Sequence, residues 1–120
     1  MFWKKKIEET RTVLFVDDEE AILNSLERGL IDEPYNILFA NSCKEALEIL
    51  QQEEVHVIVT DMRMPEMDGL EFIHIIKKDY PHIIIMVLSG YGNEAALQTA
   101  VNQGEIFKVI SKPWKLKRNF

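Results

Sequence analysis

Short apolar runs alternate along this chain with stretches whose apolar positions recur every three or four residues. Thr12 to Val16 (TVLFV) is a β-branched, unbroken apolar run ended by Asp17-Asp18, the pattern of a strand buried on both faces. Ala21, Ile22, Leu23, Leu26, Leu30 and Ile31 then fall at helical spacing, with Pro34 beyond the end. Asn36 to Ala40 (NILFA) predicts a second strand. Asn41 or Ser42 can cap the next helix, Glu45 completes a capping box with Ser42, and Ala46, Leu47, Ile49 and Leu50 form its apolar face. Val55 to Thr60 predicts a third strand, which ends at Asp61.

A loop of turn formers, MRMPEMDG, follows. It leads to a helix with Leu70, Phe72, Ile73, Ile76 and Tyr80 inward, stopped by Pro81. Ile83 to Leu88 predicts the fourth strand, Asn93 to Asn102 a helix stopped by Gly104, and Glu105 to Ile110 a shorter fifth strand. Five strands alternating with four helices imply an α/β fold, a parallel sheet with right-handed crossovers and helices on both faces. Beyond Lys112-Pro113 the seven residues Trp114 to Phe120 are too few for a complete fifth helix. One sheet face is expected to be partly uncovered, or the chain to be a fragment of something longer.

Composition narrows the class. At 120 residues the chain falls in the single-domain range of roughly 100 to 150, and 47% hydrophobic with 28% charged residues suits a globular domain. Twenty acids against 14 bases give a net charge of −6. Eight of the bases lie in 1–11 and 112–120 beside only Glu8 and Glu9, which leaves 18 acids against 6 bases in residues 12–111. Such a body repels phosphate backbones, so nucleic acid is not expected as a direct partner. The single cysteine, Cys43, excludes an internal disulfide and reads as a packed thiol. No apolar stretch follows the N-terminal lysines, and the longest apolar run, Ile83 to Leu88, is far short of the ~20 residues a membrane span needs. A cytoplasmic protein without membrane contact is expected.

In open parallel sheets, ligands bind outside the carboxyl ends of the strands. This sequence puts Asp17 and Asp18 after strand one, Asp61 after strand three, Ser89 after strand four and Lys112 after strand five. Three carboxylates on one rim repel one another unless a cation lies between them, and hard oxygen donors suit Mg²⁺. Asp61 is then the candidate nucleophile toward phosphorus, with Lys112 and Ser89 placed to reach phosphoryl oxygens. Taken singly, an aspartate after a strand is as readily a helix cap.

FVDDEE, TDMRMPEMDG, LSG and ISKPW stand in chain order, with 43 residues from Asp18 to Asp61, 28 to Ser89 and 23 to Lys112. Over residues 12–114 they resemble the receiver domain of two-component response regulators. The resemblance implies a doubly wound sheet of order 2-1-3-4-5 with a truncated fifth helix. Residues 12–120 would form the receiver and 1–11 a basic, aromatic extension. It implies Asp61 as phosphoacceptor, Asp18 as direct ligand of Mg²⁺ (or Mn²⁺), and Asp17 acting through water. The backbone carbonyl of Arg63 would complete the metal site, Ser89 would be the switch hydroxyl and Lys112 the phosphoryl-binding lysine. Pro65, Gly69 and Pro113 would shape the loops. Phosphoryl would come from a sensor histidine kinase or histidine phosphotransfer protein. The output would be a domain or protein outside this chain, transcriptional or a cyclic-dinucleotide phosphodiesterase, and dimers would form through helix four and strand five. One position departs from the pattern: where receivers carry an aromatic switch residue this chain has Val109, and Phe107, two residues earlier on the same expected strand face, is the candidate substitute.

Other readings fit the residues less well. A Mg²⁺-dependent phosphatase with an aspartate nucleophile resembles Asp-x-Asp on strand one, whereas Asp17-Asp18 are adjacent. A flavin module would need a Ser/Thr/Gly-rich phosphate loop where DDEE stands, and a receiver that signals without phosphorylation is disfavoured by the complete set of site groups. His56 reads as a satisfied strand histidine, and His74 and His82 as surface residues. Met62, Met64 and Met67 read as packing under the loop. Trp3 and Trp114 could form a partner surface or simply pack, and the basic ends read as solvated tails.

Overall fold

The computed structural model describes residues 11–62, 69–89 and 94–111, the side chains at 89, 94–96, 110 and 111 excepted. Its elements are β1 (Thr12–Val16), α1 (Glu20–Gly29), β2 (Asn36–Ala40), α2 (Cys43–Gln52), β3 (Val57–Asp61), α3 (Gly69–Asp79), β4 (Ile84–Ser89), α4 (Glu94–Asn102) and β5 (Lys108–Ser111). The five strands are parallel in the order β2-β1-β3-β4-β5. The parallel sheet expected from the alternation and the doubly wound order 2-1-3-4-5 that the resemblance implies are both present.

Period-two alternation divides the core. Leu14 and Val16 of β1, Ile58 of β3, and Ile85 and Val87 of β4 face one way, into a cluster closed by Ala46 and Leu50 of α2, Phe72 and Ile76 of α3, and Leu97 and Ala100 of α4. Val13 and Phe15 of β1, Val59 of β3 and Leu88 of β4 face the other way, against Leu23, Leu26 and Leu30 in and after α1. Every residue of β1 is buried because helices cover both its faces. Phe15 stacks on Phe39 of β2 with centroids 5.9 Å apart. At the outer edge of the α1 face Ile84 is 43% exposed. The truncated fifth helix was expected on residues that lie outside those described.

Strands β4 and β5 each run one residue past their expected ends, to Ser89 and Ser111; four further boundaries move because a backbone group finds another partner. Helix α1 ends at Gly29, and Leu30 caps it by donating its N–H to the Leu26 carbonyl. Ile31, placed by spacing on the apolar face, instead sits in the following turn, 76% exposed. Strand β3 starts at Val57 rather than Val55. The cause is His56: its N–H donates to the Thr12 carbonyl, and its ring Nδ1 accepts the Thr12 N–H at 3.0 Å, taking the place of a ladder acceptor. Strand β4 starts one residue late because the Ile83 N–H bonds the Tyr80 carbonyl. Strand β5 starts at Lys108 because Glu105 and Ile106 both donate to the Ala100 carbonyl, closing α4 through Gly104 at φ 80°.

The Ser42 half of the capping box forms as predicted, and the Glu45 side chain reaches one residue further back than the N-cap. Ser42 Oγ accepts the Glu45 N–H at 3.0 Å, and Glu45 Oε1 accepts the N–H of Asn41 at 2.8 Å. Cys43 is fully buried at the start of α2.

Candidate carboxylate site at the strand ends

The Val16–Thr60 pair is the last between β1 and β3. Carried one residue further, this register sets Asp17 opposite Asp61. Asp17 continues the parity of Val13 and Phe15, and Asp61 that of Val57 and Val59, so both carboxylates leave the sheet toward the α1 side. Both are buried, Asp17 at 1% and Asp61 at 4% exposure, the only carboxylates so enclosed among the described residues. Asp17 Oδ1 accepts the N–H of Glu19 at 2.9 Å, so Asp17 also helps to start α1, whose N-cap Glu19 makes no side-chain cap bond of its own. The helix-cap reading of Asp17 and its place on the acidic rim hold together.

Asp17, Asp18 and Glu19 bring carboxylate oxygens within 4.8 Å of one another. Glu19 is a member that sequence reasoning passed over. Its signal was present in the run DDEE, but a glutamate opening a helix is common for dipole reasons alone. Asp61 is not part of that close group. It lies at the end of the neighbouring strand, and its carbonyl accepts the Thr60 hydroxyl at 3.0 Å, a bond that no residue pattern signals. The donor set is three hard oxygen ligands on a rigid strand-to-helix turn, with a fourth carboxylate on the adjacent strand. That chemistry fits Mg²⁺ or Mn²⁺ and does not fit soft metals.

The other predicted groups divide. Ser89 ends β4, beside Ser111 of β5 in the register, and its side chain lies outside what is described. Arg63, Pro65, Lys112 and Pro113 lie outside the described residues altogether, as do Trp3 and Trp114. Gly69 is the first residue of α3. Val109 is half-buried against the larger core cluster. Phe107 does not share a strand face with it: Phe107 precedes β5, where its N–H bonds the Ile85 carbonyl, and its side chain is 66% exposed because the α4 cap turn carries it outward. His56 is satisfied, as expected. His74 is exposed and lies 3.1 Å from Glu105 Oε2. A cavity of ≈ 260 Å³ between α1 and the end of β2, lined by Glu20, Asn24, Phe39 and Asn41 among others, includes none of the predicted site residues.

Fold and rim together define a receiver-type phosphoacceptor domain, and the chain belongs to the response regulator receiver domain family, whose profile matches residues 13–119. Members of this family are signalling phosphoacceptors on aspartate rather than enzymes in the ordinary sense. Among its relatives, the hydrogenase transcriptional regulatory protein HoxA of Cupriavidus necator is 39% identical over 103 residues, 86% of this chain and 21% of that protein. The signal receiver domain of an HD domain-containing protein from Pseudomonas fluorescens Pf-5 is similar in structure, with a TM-score of 0.84, 32% identity, and coverage of 92% of this chain and 89% of that one. The beryllofluoride-activated NtrC4 receiver domain dimer gives a TM-score of 0.79 at 34% identity, covering 89% and 88%. The chain spans about a fifth of the length of the curated relatives it matches. Among the described residues, no helix is long and apolar enough to cross a membrane.

Proposed function

We propose that Asp61 accepts a phosphoryl group from a phosphohistidine of a sensor kinase or histidine phosphotransfer protein, in a Mg²⁺-dependent reaction, and that the product switches a partner interaction. The observation that carries this reading is the register that sets buried Asp61 opposite buried Asp17, beside the Asp17–Asp18–Glu19 group. An Asp61 carboxylate oxygen would attack phosphorus in line. The P–N bond of the donor breaks as the P–O bond forms, and the imidazole leaves with a proton from water.

Asp18 would hold Mg²⁺ directly, Asp17 through water, with Asp61 and the Arg63 carbonyl completing the set, and Mn²⁺ could substitute. When bound, the cation neutralises charge on the phosphoryl oxygens. Asp17 holds the start of α1 in register through the Glu19 N–H, and Thr60 fixes the peptide that follows Asp61. Lys112 would meet a phosphoryl oxygen as a point charge and Ser89 would donate to another, drawing β4 and β5 toward the product state. Val109, packed on the core, would replace the family's aromatic switch, and Pro65, Gly69 and Pro113 would hold the loops. Residues 12–120 would act as one receiver unit behind the basic extension 1–11.

HoxA is named a transcriptional regulator, and a transcriptional output outside this chain is the reading we carry over. The NtrC4 receiver is described as a dimer, which supports a homodimer here, and α4 with β5 is the face we assign to it. The setting would be cytoplasmic, without direct contact to nucleic acid or membrane. The test is labelling by a small acyl phosphate with and without Mg²⁺. Labelling that needs the cation, is lost in Asp61→Asn and weakens in Asp18→Asn supports the assignment; labelling that survives Asp61→Asn rejects it.

A further inference from the structure

Met62 follows the proposed phosphoacceptor directly, and the phosphoryl chemistry makes no use of it. Its side chain is half-buried and packs against the larger core cluster. It also closes on the first residue of α3: a Cβ placed on Gly69 would lie 2.7 Å from Met62 Sδ, 2.9 Å from its Cε and 2.9 Å from its carbonyl oxygen. The thioether therefore occupies the space over the Gly69 α-carbon, between the core and the start of α3. The peptide joining it to Asp61 is held by the Thr60 hydroxyl at 3.0 Å. Any displacement of Met62 acts on the backbone of Asp61 through one covalent link.

We propose that Met62 is an oxidant-sensitive site, and that its conversion to the sulfoxide blocks phosphoryl acceptance at Asp61. The co-reactant is a two-electron oxidant of the hydrogen peroxide class. A sulfur lone pair attacks one peroxide oxygen, the S–O bond forms as the O–O bond breaks, and the departing hydroxide takes up the proton from the transferred oxygen to leave water. Sulfur gives up two electrons and the peroxide is reduced by two. The product is pyramidal, polar and one oxygen larger. The contact is already closed on the Gly69 side and apolar on the core side, so the polar, larger sulfoxide cannot keep it; the side chain must turn out, and the backbone it shares with Asp61 shifts with it. Reduction of the sulfoxide restores the thioether and the contact.

This inference rests on Asp61 as phosphoacceptor, and the experiment separates the two. The full chain is treated with hydrogen peroxide, sulfoxides are mapped by tandem mass spectrometry, and Mg²⁺-dependent labelling by a small acyl phosphate is measured. Labelling should fall by at least about tenfold in molecules oxidised at Met62, the scale on which small misplacements near a reacting group act. Met62→Leu, which keeps the volume without the sulfur, should hold its labelling through the same treatment. Met62→Gln should label poorly with no oxidant while circular dichroism shows an intact fold. Methionine sulfoxide reductases should restore the oxidised wild type. Equal loss in Met62→Leu would assign the effect elsewhere and overturn the proposal, as would a Met62 sulfoxide that labels normally or a Met62 that resists peroxide in the folded chain. Failure of the untreated chain to label at Asp61 would instead reject the phosphoacceptor reading, and this inference with it.

Discussion

Gly69→Ala sets two opposing effects of known size against each other. An alanine at the first position of α3 stabilises the helix by about 0.5–1 kcal/mol, because glycine loses more backbone freedom on folding. Gly69 does not need a left-handed backbone; among the described glycines Gly104, at φ 80°, is the one that does. The opposing effect is contact. The new Cβ would meet the Met62 thioether at 2.7 and 2.9 Å and the Met62 carbonyl oxygen at 2.9 Å. The thioether is a flexible tip and can turn away, at the loss of its own packing. The carbonyl cannot move without shifting the backbone beside Asp61, and overpacking of that kind costs about 1–3 kcal/mol. The contact wins, and Gly69→Ala should destabilise by about 1–2 kcal/mol, a Tm drop of about 4–8 °C for a domain of this size. Urea denaturation of Gly69→Ala, Met62→Ala and the double variant measures it and divides it. If the thioether carries the clash, most of the penalty disappears in the Met62→Ala background; if the carbonyl carries it, the penalty persists there. A Gly69→Ala chain as stable as wild type, or more so, would refute the reasoning, since helix propensity would then be deciding the sign.

His56→Ala leaves the N–H of nearly buried Thr12 without its ring acceptor and should lose about 1–3 kcal/mol in urea denaturation. His56→Asn, whose Oδ1 lies near the position of Nδ1, should recover at least half of that, and faster hydrogen exchange at Thr12 in the alanine variant would locate the effect. Ser42→Ala removes the acceptor for the Glu45 N–H and should lose about 1 kcal/mol, by the same measurement, with a smaller loss for Glu45→Ala. Tyr35 titrates above 10.0, chiefly because burial disfavours the phenolate and secondarily because Glu33 is near. The folded chain holds that proton longer than the unfolded one. Stability from this group is therefore intact below pH 10.0 and falls as pH rises through the folded value. Tyrosinate absorbance against a Tyr35→Phe control should show the late titration, and Glu33→Gln should remove only the smaller part of the shift.

The sheet was legible because its information is local. Unbroken apolar runs such as Thr12–Val16 can be buried only in a strand covered on both faces, and Ser42 with Glu45 marks a helix start by direct hydrogen bonds. The errors fall where a distant group replaces a local one. Val55 looks like a strand residue and is buried like one, yet β3 waits for Val57 because the ring of His56 reaches the Thr12 N–H, 44 residues away in sequence. Ile106 belongs to the core but not to β5, because its N–H is already used by the Ala100 carbonyl in closing α4. At the site, parallel strands bring all their carboxyl ends to one rim, so Asp17 and Asp61 could be read directly. Glu19 could not, since its inclusion depends on the turn that Asp17 makes with its N–H.

These particulars divide the molecule into a held pole and a charged one. At the amino ends of the strands, the Arg11 carbonyl takes the N–H of Asn36, the Thr12 carbonyl that of His56, and the His56 carbonyl that of Ile84, which ties β2, β1, β3 and β4 together before any strand has run its length. Lys77 reaches from α3 to the Ile83 carbonyl at the same end. At the carboxyl ends, two buried carboxylates stand beside two exposed ones, an arrangement that opposes folding by like-charge repulsion and desolvation. The sheet is thus secured by backbone bonds at the pole away from that rim. The Met62–Gly69 contact joins the rim to a helix that is itself fixed at the far pole through Lys77. A change of charge or volume at the rim therefore reaches α3 through Met62, since β3 and α3 themselves are held by groups that the change does not touch.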